Sequence, residues 1–205
     1  MGSIEAAIAI LKKRGVIVYP TETLFALGGM ALDGDVCQRI VEIKRRPPSK
    51  PFPIIVGNYG QLHLLVQRVP PVAERIIRLF WPAPLSILLP ARSGLPPEVV
   101  GEEDMVCVRC SPHPVARSLC LETGFPLIAT SANISGEPPP SSPDQVSPEV
   151  LSQIDTIISP PPPPQGGAPS TIISITPEED VKVIRKGAFP SSLLLKAGVL
   201  PCSKN

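Results

Sequence analysis

Residues Ile43–Val56 read IKRRPPSKPFPIIV. A helix-like segment ends here in three consecutive cations, Lys44, Arg45 and Arg46, turns on Pro47-Pro48, adds a fourth cation at Lys50, and passes into the apolar run Phe52–Val56. Proline fixes φ and cannot continue a helix, so the chain changes direction and the cations acquire a defined heading. Four positive charges set where a helix hands over to a strand form a candidate cradle for a polyanion. The plainer alternative is a solvated basic helix end, which also suits the negative end of the helix dipole.

Toward the N-terminus, apolar residues at Ile4, Ala7, Ile8 and Leu11 follow helical spacing, and Gly15 stops the pattern. Val16–Tyr19 is a short strand ended by Pro20, and TETLFALGG follows from Thr21 to Gly29. Two hydroxyls, Thr21 and Thr23, thus stand directly after a strand, and Gly28-Gly29 permits a close turn. A polar loop at a strand end is the usual ligand edge of an α/β sheet; a threonine-capped turn is the plainer reading. Asp35 is expected to cap the helix Val36–Arg45 that delivers the cations.

Toward the C-terminus, helices are expected at Leu62–Val66, Val72–Phe80, Pro114–Glu122 and Pro143–Leu151. Strands are expected at Leu85–Leu89, Met105–Arg109, Leu127–Ala129, Thr156–Ile158, Ser170–Ile175 and Val181–Arg185, with Arg109 at a strand end. After Ala129 comes TSANISG, three hydroxyls and an amide at another strand end; an Asx or Ser/Thr turn is the plainer reading. Pro160–Gly167 holds five prolines and two glycines, a stiff arm with a hinge. One domain over residues 1–190 is expected, followed by a tail, 191–205, read as a weak helix or loose chain.

With 43% hydrophobic and only 4% aromatic residues, the 205-residue chain should fold around an aliphatic core. Its net charge of +1 means that any anion site must come from local clustering. Five cysteines, an odd number, without a signal-peptide pattern point to a reducing cytoplasm, and MGSIEAAIAILKKRG is too short and charged to span a membrane. Cys107-x-x-Cys110 with His113 lacks the second ligand pair that structural zinc wants, so Cys107 is read as a buried thiol. His63 and His113 have no nucleophile motif nearby, and neither a Walker A loop nor GxGxxG occurs. A bound nucleotide would therefore be held by side-chain cations and hydroxyls.

Three blocks in order, YPTETLFALGG, KRRPPSKPFPIIV and ATSANISGEPPPSS, resemble the YrdC-like threonylcarbamoyl-AMP synthases. FWPAPLSILL, VCVRCSPHP, the PSTII segment at 169–173 and VIRKGA at 183–188 extend the likeness over roughly residues 4–188. The resemblance implies a twisted mixed β-sheet with flanking helices around a concave basic cavity. It implies a nucleotidyltransferase joining L-threonine, bicarbonate and ATP, with Mg²⁺, into threonylcarbamoyl-adenylate and pyrophosphate. It puts the K-x-R pair on Lys44 and Arg46 as catalytic and phosphate-gripping residues, with Lys50, Ser131, Asn133 and Arg185 on the nucleotide side. Thr23, Arg109, Ala129 and Ser170 fall at the threonine site, Arg109 because its fork matches a carboxylate. The chain departs from the family pattern at Phe25-Ala26, where Tyr-Gly is usual, at Pro139 for Ser, and at Pro160–Pro164 for an Asp/Gly-rich turn, all bearing on the lid over the site.

The mechanism expected is adenylate formation without a protein nucleophile, driven by positioning and charge neutralisation. Downstream tRNA-modifying proteins are the expected recipients of the product, with no membrane partner. The alternatives are an RNA-binding module using the same cavity, with weak RNA binding as its mark, and a carbamoyl-transfer accessory domain. Scarce aromatics and near-zero charge weigh against RNA.

Overall fold

The computed structural model describes residues 2–47, 50–176 and 178–199, so Pro48, Ser49 and Cys202 lie outside it. Helix α1, Ile4–Lys12, begins on Ser3, whose hydroxyl accepts from the Ala6 N–H, and turns Ala7 and Leu11 into the core. Strands β1 (Ile17–Pro20) and β2 (Phe25–Gly28) form an antiparallel hairpin with Ile17 opposite Gly28 and Pro20 opposite Phe25. The turn between them is closed by Thr21, whose N–H and hydroxyl both donate to the Leu24 carbonyl at 3.1 and 2.7 Å.

The sequence reading places a polar loop after Tyr19 and a close turn at Gly28-Gly29; the structure instead makes Phe25–Gly28 a strand. Gly28 serves close packing within a strand instead of a turn: a Cβ there would lie 1.9 Å from the Ile128 carbonyl oxygen. That same oxygen accepts from the Tyr19 hydroxyl at 2.7 Å.

Helix α2 spans Gly34–Lys44. Its cap is Asp33, not Asp35: the Asp33 carboxylate accepts from the Asp35 and Val36 N–H groups. Val36, Cys37, Ile40 and Ile43 are buried along one side, and Arg45 ends the helix in the left-handed region at φ 48°.

The remaining elements are β3 (Ile54–Val56), α3 (Pro71–Phe80), β4 (Leu85–Pro90), β5 (Met105–Cys110), α4 (Pro114–Thr123), β6 (Leu127–Ile128) and β7 (Thr130–Ser131). They are followed by α5 (Pro148–Leu151), β8 (Thr156–Ile157), β9 (Thr171–Ile175), β10 (Val181–Arg185) and α6 (Ser191–Lys196). The mixed α/β class holds, with the strands divided between two sheets. The smaller runs β7-β2-β1-β8 and the larger β10-β9-β4-β5-β3-β6. Both are mixed: β1 and β8, β3 and β5, and β4 and β9 pair in parallel, the other neighbours antiparallel.

Between β6 and β7 the chain crosses from one sheet to the other, with Ala129 at the crossing. One core fills the space over α2, α3 and the larger sheet; a second packs Ala7 and Leu11 of α1 against Val115, Leu119 and Cys120 of α4.

Leu62–Val66 is not an α-helix: its first three residues end a 3₁₀ segment, Tyr59–Leu64. Pro143–Leu151 divides into a 3₁₀ turn, Pro143–Gln145, and α5, since Pro148 must begin a helix rather than continue one. At the C-terminal end α6 is helical, and Leu194 and Val199 are buried against the first core. Among the described residues no helix is long and apolar enough to cross a membrane.

Gly28→Ala should lower stability by about 1–3 kcal/mol, because the added methyl collides with backbone that cannot rotate away. A denaturant midpoint measures it; an unchanged midpoint would mean that β2 and residue 128 are not this close.

Candidate functional site

A cavity of about 420 Å³ is lined from both sheets. The larger sheet contributes Leu88, Cys107, Arg109, Ile172 and Arg185; the smaller contributes Phe25, Ala26 and Ser131, with Thr21 and Thr23 from its hairpin turn. Arg46, Pro139, Ala129 and Ser170 also line it. Seven residues proposed from sequence are therefore brought together: Thr23, Arg46, Arg109, Ala129, Ser131, Ser170 and Arg185. A second cavity of about 420 Å³, beside Tyr59 and Trp81, holds none of them.

Three proposed residues do not line the cavity. Lys44 is 2% exposed, and its ammonium donates to the carbonyls of Ser131 and Asn133 at 2.5 and 2.6 Å, with Asn133 Oδ1 at 3.4 Å. Burial pulls it down to about 7, and the Arg46 charge pushes the same way. The surrounding oxygens oppose this, because only the ammonium has three hydrogens to donate. Asn133 is spent as well: its amide nitrogen donates to the carbonyls of Ile134 and Glu137 at 3.0 and 2.6 Å. Lys50 is exposed, and its contribution is a backbone carbonyl accepting from Arg46 Nε at 2.6 Å.

The left-handed turn at Arg45 explains this scatter. Consecutive side chains leave a helix end in different directions, so Lys44 points inward and Arg45 outward to Glu149. Arg46 reaches the cavity, held by the Lys50 and Pro51 carbonyls with its guanidinium carbon 4.8 Å from the centre of the Phe52 ring.

On β5, alternation sends Val106 and Val108 into the core and Cys107 and Arg109 to the cavity side. Cys107 is thus a half-buried cavity residue rather than the core thiol expected, whereas Cys110 and Cys120 are buried and donate to carbonyls. Arg109 is 4% exposed, and its Nε donates to Glu22 Oε1 at 3.0 Å. The other Glu22 oxygen accepts from the Ser111 hydroxyl. Burial acts to raise the Glu22 carboxyl, but the Arg109 charge and the Ser111 hydrogen bond outweigh it and hold it below the ordinary value.

Arg185 donates to the Ser170 carbonyl at 3.2 and 2.8 Å and lies 3.3 Å from its hydroxyl; Ser86 Oγ is 3.0 Å away on the other side. Gly187 permits this approach, since a Cβ there would fall 2.1 Å from the Pro169 carbonyl oxygen. Sequence reasoning missed Glu22, Ser111 and Ser86. The TET spelling around Glu22 held the only signal, a carboxylate between two hydroxyls.

The proline arm borders the same turn. Gln165 and Gly166 N–H groups donate to the Glu22 and Thr23 carbonyls at 3.2 and 2.8 Å, and His113 Nε2 lies 2.8 Å from the Pro162 carbonyl.

The profile of the Sua5/YciO/YrdC family, described as telomere recombination, matches residues 9–187. The chain belongs to the Sua5/YciO/YrdC family. Similar relatives include a threonylcarbamoyl-AMP synthase of Pyrococcus abyssi, 35% identical over 187 residues, covering 91% of this chain and 54% of that protein. One of Vibrio cholerae is 35% identical over 187 residues, covering 90% of this chain and 97% of that protein. A crystal structure of P. abyssi Sua5 complexed with L-threonine superposes with a TM-score of 0.88 at 33% identity, covering 96% of this chain and 58% of that one. The chain spans about half the length of the first curated relatives it matches, 54% and 52%. The Sua5/YciO/YrdC likeness thus extends to the mixed α/β fold of both sheets.

Lys44→Met should destabilise the chain. Each carbonyl left unpaired in the interior costs about 1–3 kcal/mol, so a total loss of at least about 2 kcal/mol is expected in thermal or denaturant unfolding. An unshifted midpoint would show that the ammonium does not brace the 131–135 loop.

Proposed function

We propose that this chain is a threonylcarbamoyl-AMP synthase, using L-threonine, bicarbonate and ATP. The observation that carries the reading is Arg109, whose terminal nitrogens have no hydrogen-bond partner among the described residues, in one cavity with the hydroxyls of Thr23 and Ser170. A guanidinium fork beside small hydroxyls matches an amino acid bearing a carboxylate and a hydroxyl. Arg46 and Arg185 on the same cavity supply fixed charge for a triphosphate, with Ser131 beside them. The names of the relatives and the L-threonine complex of Sua5 support the same reading.

In this mechanism the threonine amine and bicarbonate form a carbamate with loss of water. A carbamate oxygen then attacks the α-phosphorus, and the bond to pyrophosphate breaks. No protein nucleophile is needed, and the chain's work is orientation and charge neutralisation. Arg109 fixes the carboxylate, Thr23 and Ser170 read the hydroxyl, and the Ala129 backbone lies alongside. Arg46 and Arg185 offset phosphate charge. Lys44, Asn133 and Lys50 act through the backbone rather than by direct contact.

Among the described residues no carboxylate lines the cavity, and no three His, Cys, Asp or Glu side chains gather as metal ligands. Mg²⁺ would therefore enter as a counter-ion carried by the triphosphate. The product is a mixed anhydride suited to tRNA-modifying proteins in the cytoplasm as recipients. A single-stranded RNA role is disfavoured: Phe25, the aromatic ring lining the cavity, is 1% exposed and offers no stacking face.

Pyrophosphate release should depend on threonine and bicarbonate; release indifferent to threonine would refute the reading. Valine should be rejected by about a hundredfold or more, because it leaves the hydroxyl-reading groups unpaired, while serine should lose only about 1–3 kcal/mol. Valine turning over as well as threonine would refute the hydroxyl-reading pocket. Arg46→Ala should weaken ATP binding by about ten- to a hundredfold in calorimetry, the worth of one charge-assisted contact; unchanged affinity would displace the phosphates from this part of the cavity.

A further inference from the structure

We infer that Glu22 is a positioning residue for amino-acid selection, aiming Arg109 by occupying its Nε so that only the terminal edge of the guanidinium is left for a substrate carboxylate. The inference rests on the threonine reading of the same cavity and deepens it.

Arg109 and Glu22 side chains are 5% and 9% exposed, so the pair is removed from water. Taking two charges out of water costs about as much as their attraction returns, so such a pair is a poor device for stability alone. Its geometry is more informative. A guanidinium can grip a carboxylate along two edges: through Nε with one terminal nitrogen, or through the two terminal nitrogens together. Glu22 Oε1 takes Nε at 3.0 Å, which removes the first edge. The terminal nitrogens have no partner among the described residues, and Arg109 lines the cavity.

Glu22 is itself fixed from three directions. The Ser111 hydroxyl donates to its second oxygen. Gln165 N–H donates to its carbonyl at 3.2 Å. The Thr21–Leu24 turn on which it stands is closed by two hydrogen bonds to the Leu24 carbonyl. Ser111 is in turn held by its own place after β5, where its oxygen accepts from the His113 N–H at 3.2 Å. The clamp therefore joins the hairpin turn, the end of β5 and the proline arm around one guanidinium.

A second consequence concerns which amino acids enter. Glu22 puts a fixed negative charge behind Arg109. The Arg109–Glu22 pair is neutral, so one substrate carboxylate leaves a net charge of −1, and a side-chain carboxylate, as in aspartate, adds a second negative charge and stronger repulsion.

The test uses steady-state pyrophosphate release by the full chain with threonine, ATP and bicarbonate. Glu22→Gln keeps the shape but exchanges the charged acceptor for a neutral amide oxygen, so the bond that holds Nε loses its charge assistance and no longer fixes the guanidinium. It should raise the threonine KM by about tenfold or more, with the ATP KM unchanged and kcat altered by less than about threefold. Combined with Arg109→Lys, the Glu22→Gln change should add little further loss, because both act on one contact. Ser111→Ala, which removes neither charge but takes away the hydroxyl that steadies Glu22, should raise the threonine KM by about three- to tenfold and serves if Glu22→Gln does not fold. Threonine-dependent wild-type activity with an unchanged threonine KM in Glu22→Gln, or in Ser111→Ala where it alone folds, overturns the positioning role. Full additivity with Arg109→Lys overturns it as well. Wild-type release that ignores threonine instead refutes the functional reading, and the inference falls with it.

Discussion

The Lys44 ammonium, buried between the end of α2 and the loop that starts at Ser131, is the contact on which the site's shape depends. It donates to the Ser131 and Asn133 carbonyls, and the Lys44 carbonyl in return accepts from the Ser135 N–H at 2.9 Å. Helix end and loop are thereby fixed to each other in both directions. One consequence is that Ser131, at the end of β7, faces the cavity at a set depth. Another is that the left-handed residue Arg45 must follow immediately, which turns Arg46 toward the cavity and Arg45 away from it. A buried ammonium without these oxygens would cost far more than it returned.

The same logic runs through the rest of the cavity. Each guanidinium that lines it is restrained by protein oxygens on one side: Arg46 by the Lys50 and Pro51 carbonyls, Arg109 by Glu22, Arg185 by Ser170. Burial lowers Arg46 and Arg185, but guanidinium remains charged under any physiological condition. Under the proposed adenylate chemistry, charge held in place before a substrate arrives would need no reorganisation when negative charge develops on the phosphates. Close backbone approaches make room for this. Gly187 lets the end of β10 lie against Pro169 and Ser170, and Gly28 lets β2 lie against residue 128.

Much of this could be read from the chain itself. Val181–Arg185 and the strand ending at Arg109 follow from apolar alternation, and the three motif blocks converge because they sit on strand ends and turns that the two sheets bring together. What escaped was set by tertiary contacts. Phe25–Gly28 looks like loop because Gly28 and the following Gly29 signal freedom, whereas both are there for space. Asp35 looks like a cap as well as Asp33 does, and only the backbone direction separates them. The four cations of Lys44–Lys50 read as one cluster, but a single left-handed residue sends them three ways. Cys107 looked apolar by its neighbours; alternation put it on the opposite side from them. Glu22 carried no signal of its own beyond its place between two threonines, since its partner Arg109 is 87 residues away.

The direct measurement is product identity. The chain would be incubated with ATP, L-threonine and ¹³C-bicarbonate, and the adenylates resolved by mass spectrometry. The account predicts one new adenylate containing threonine and a single ¹³C, absent when threonine is left out. An adenylate without the label, or one formed equally well in the absence of threonine, would contradict it.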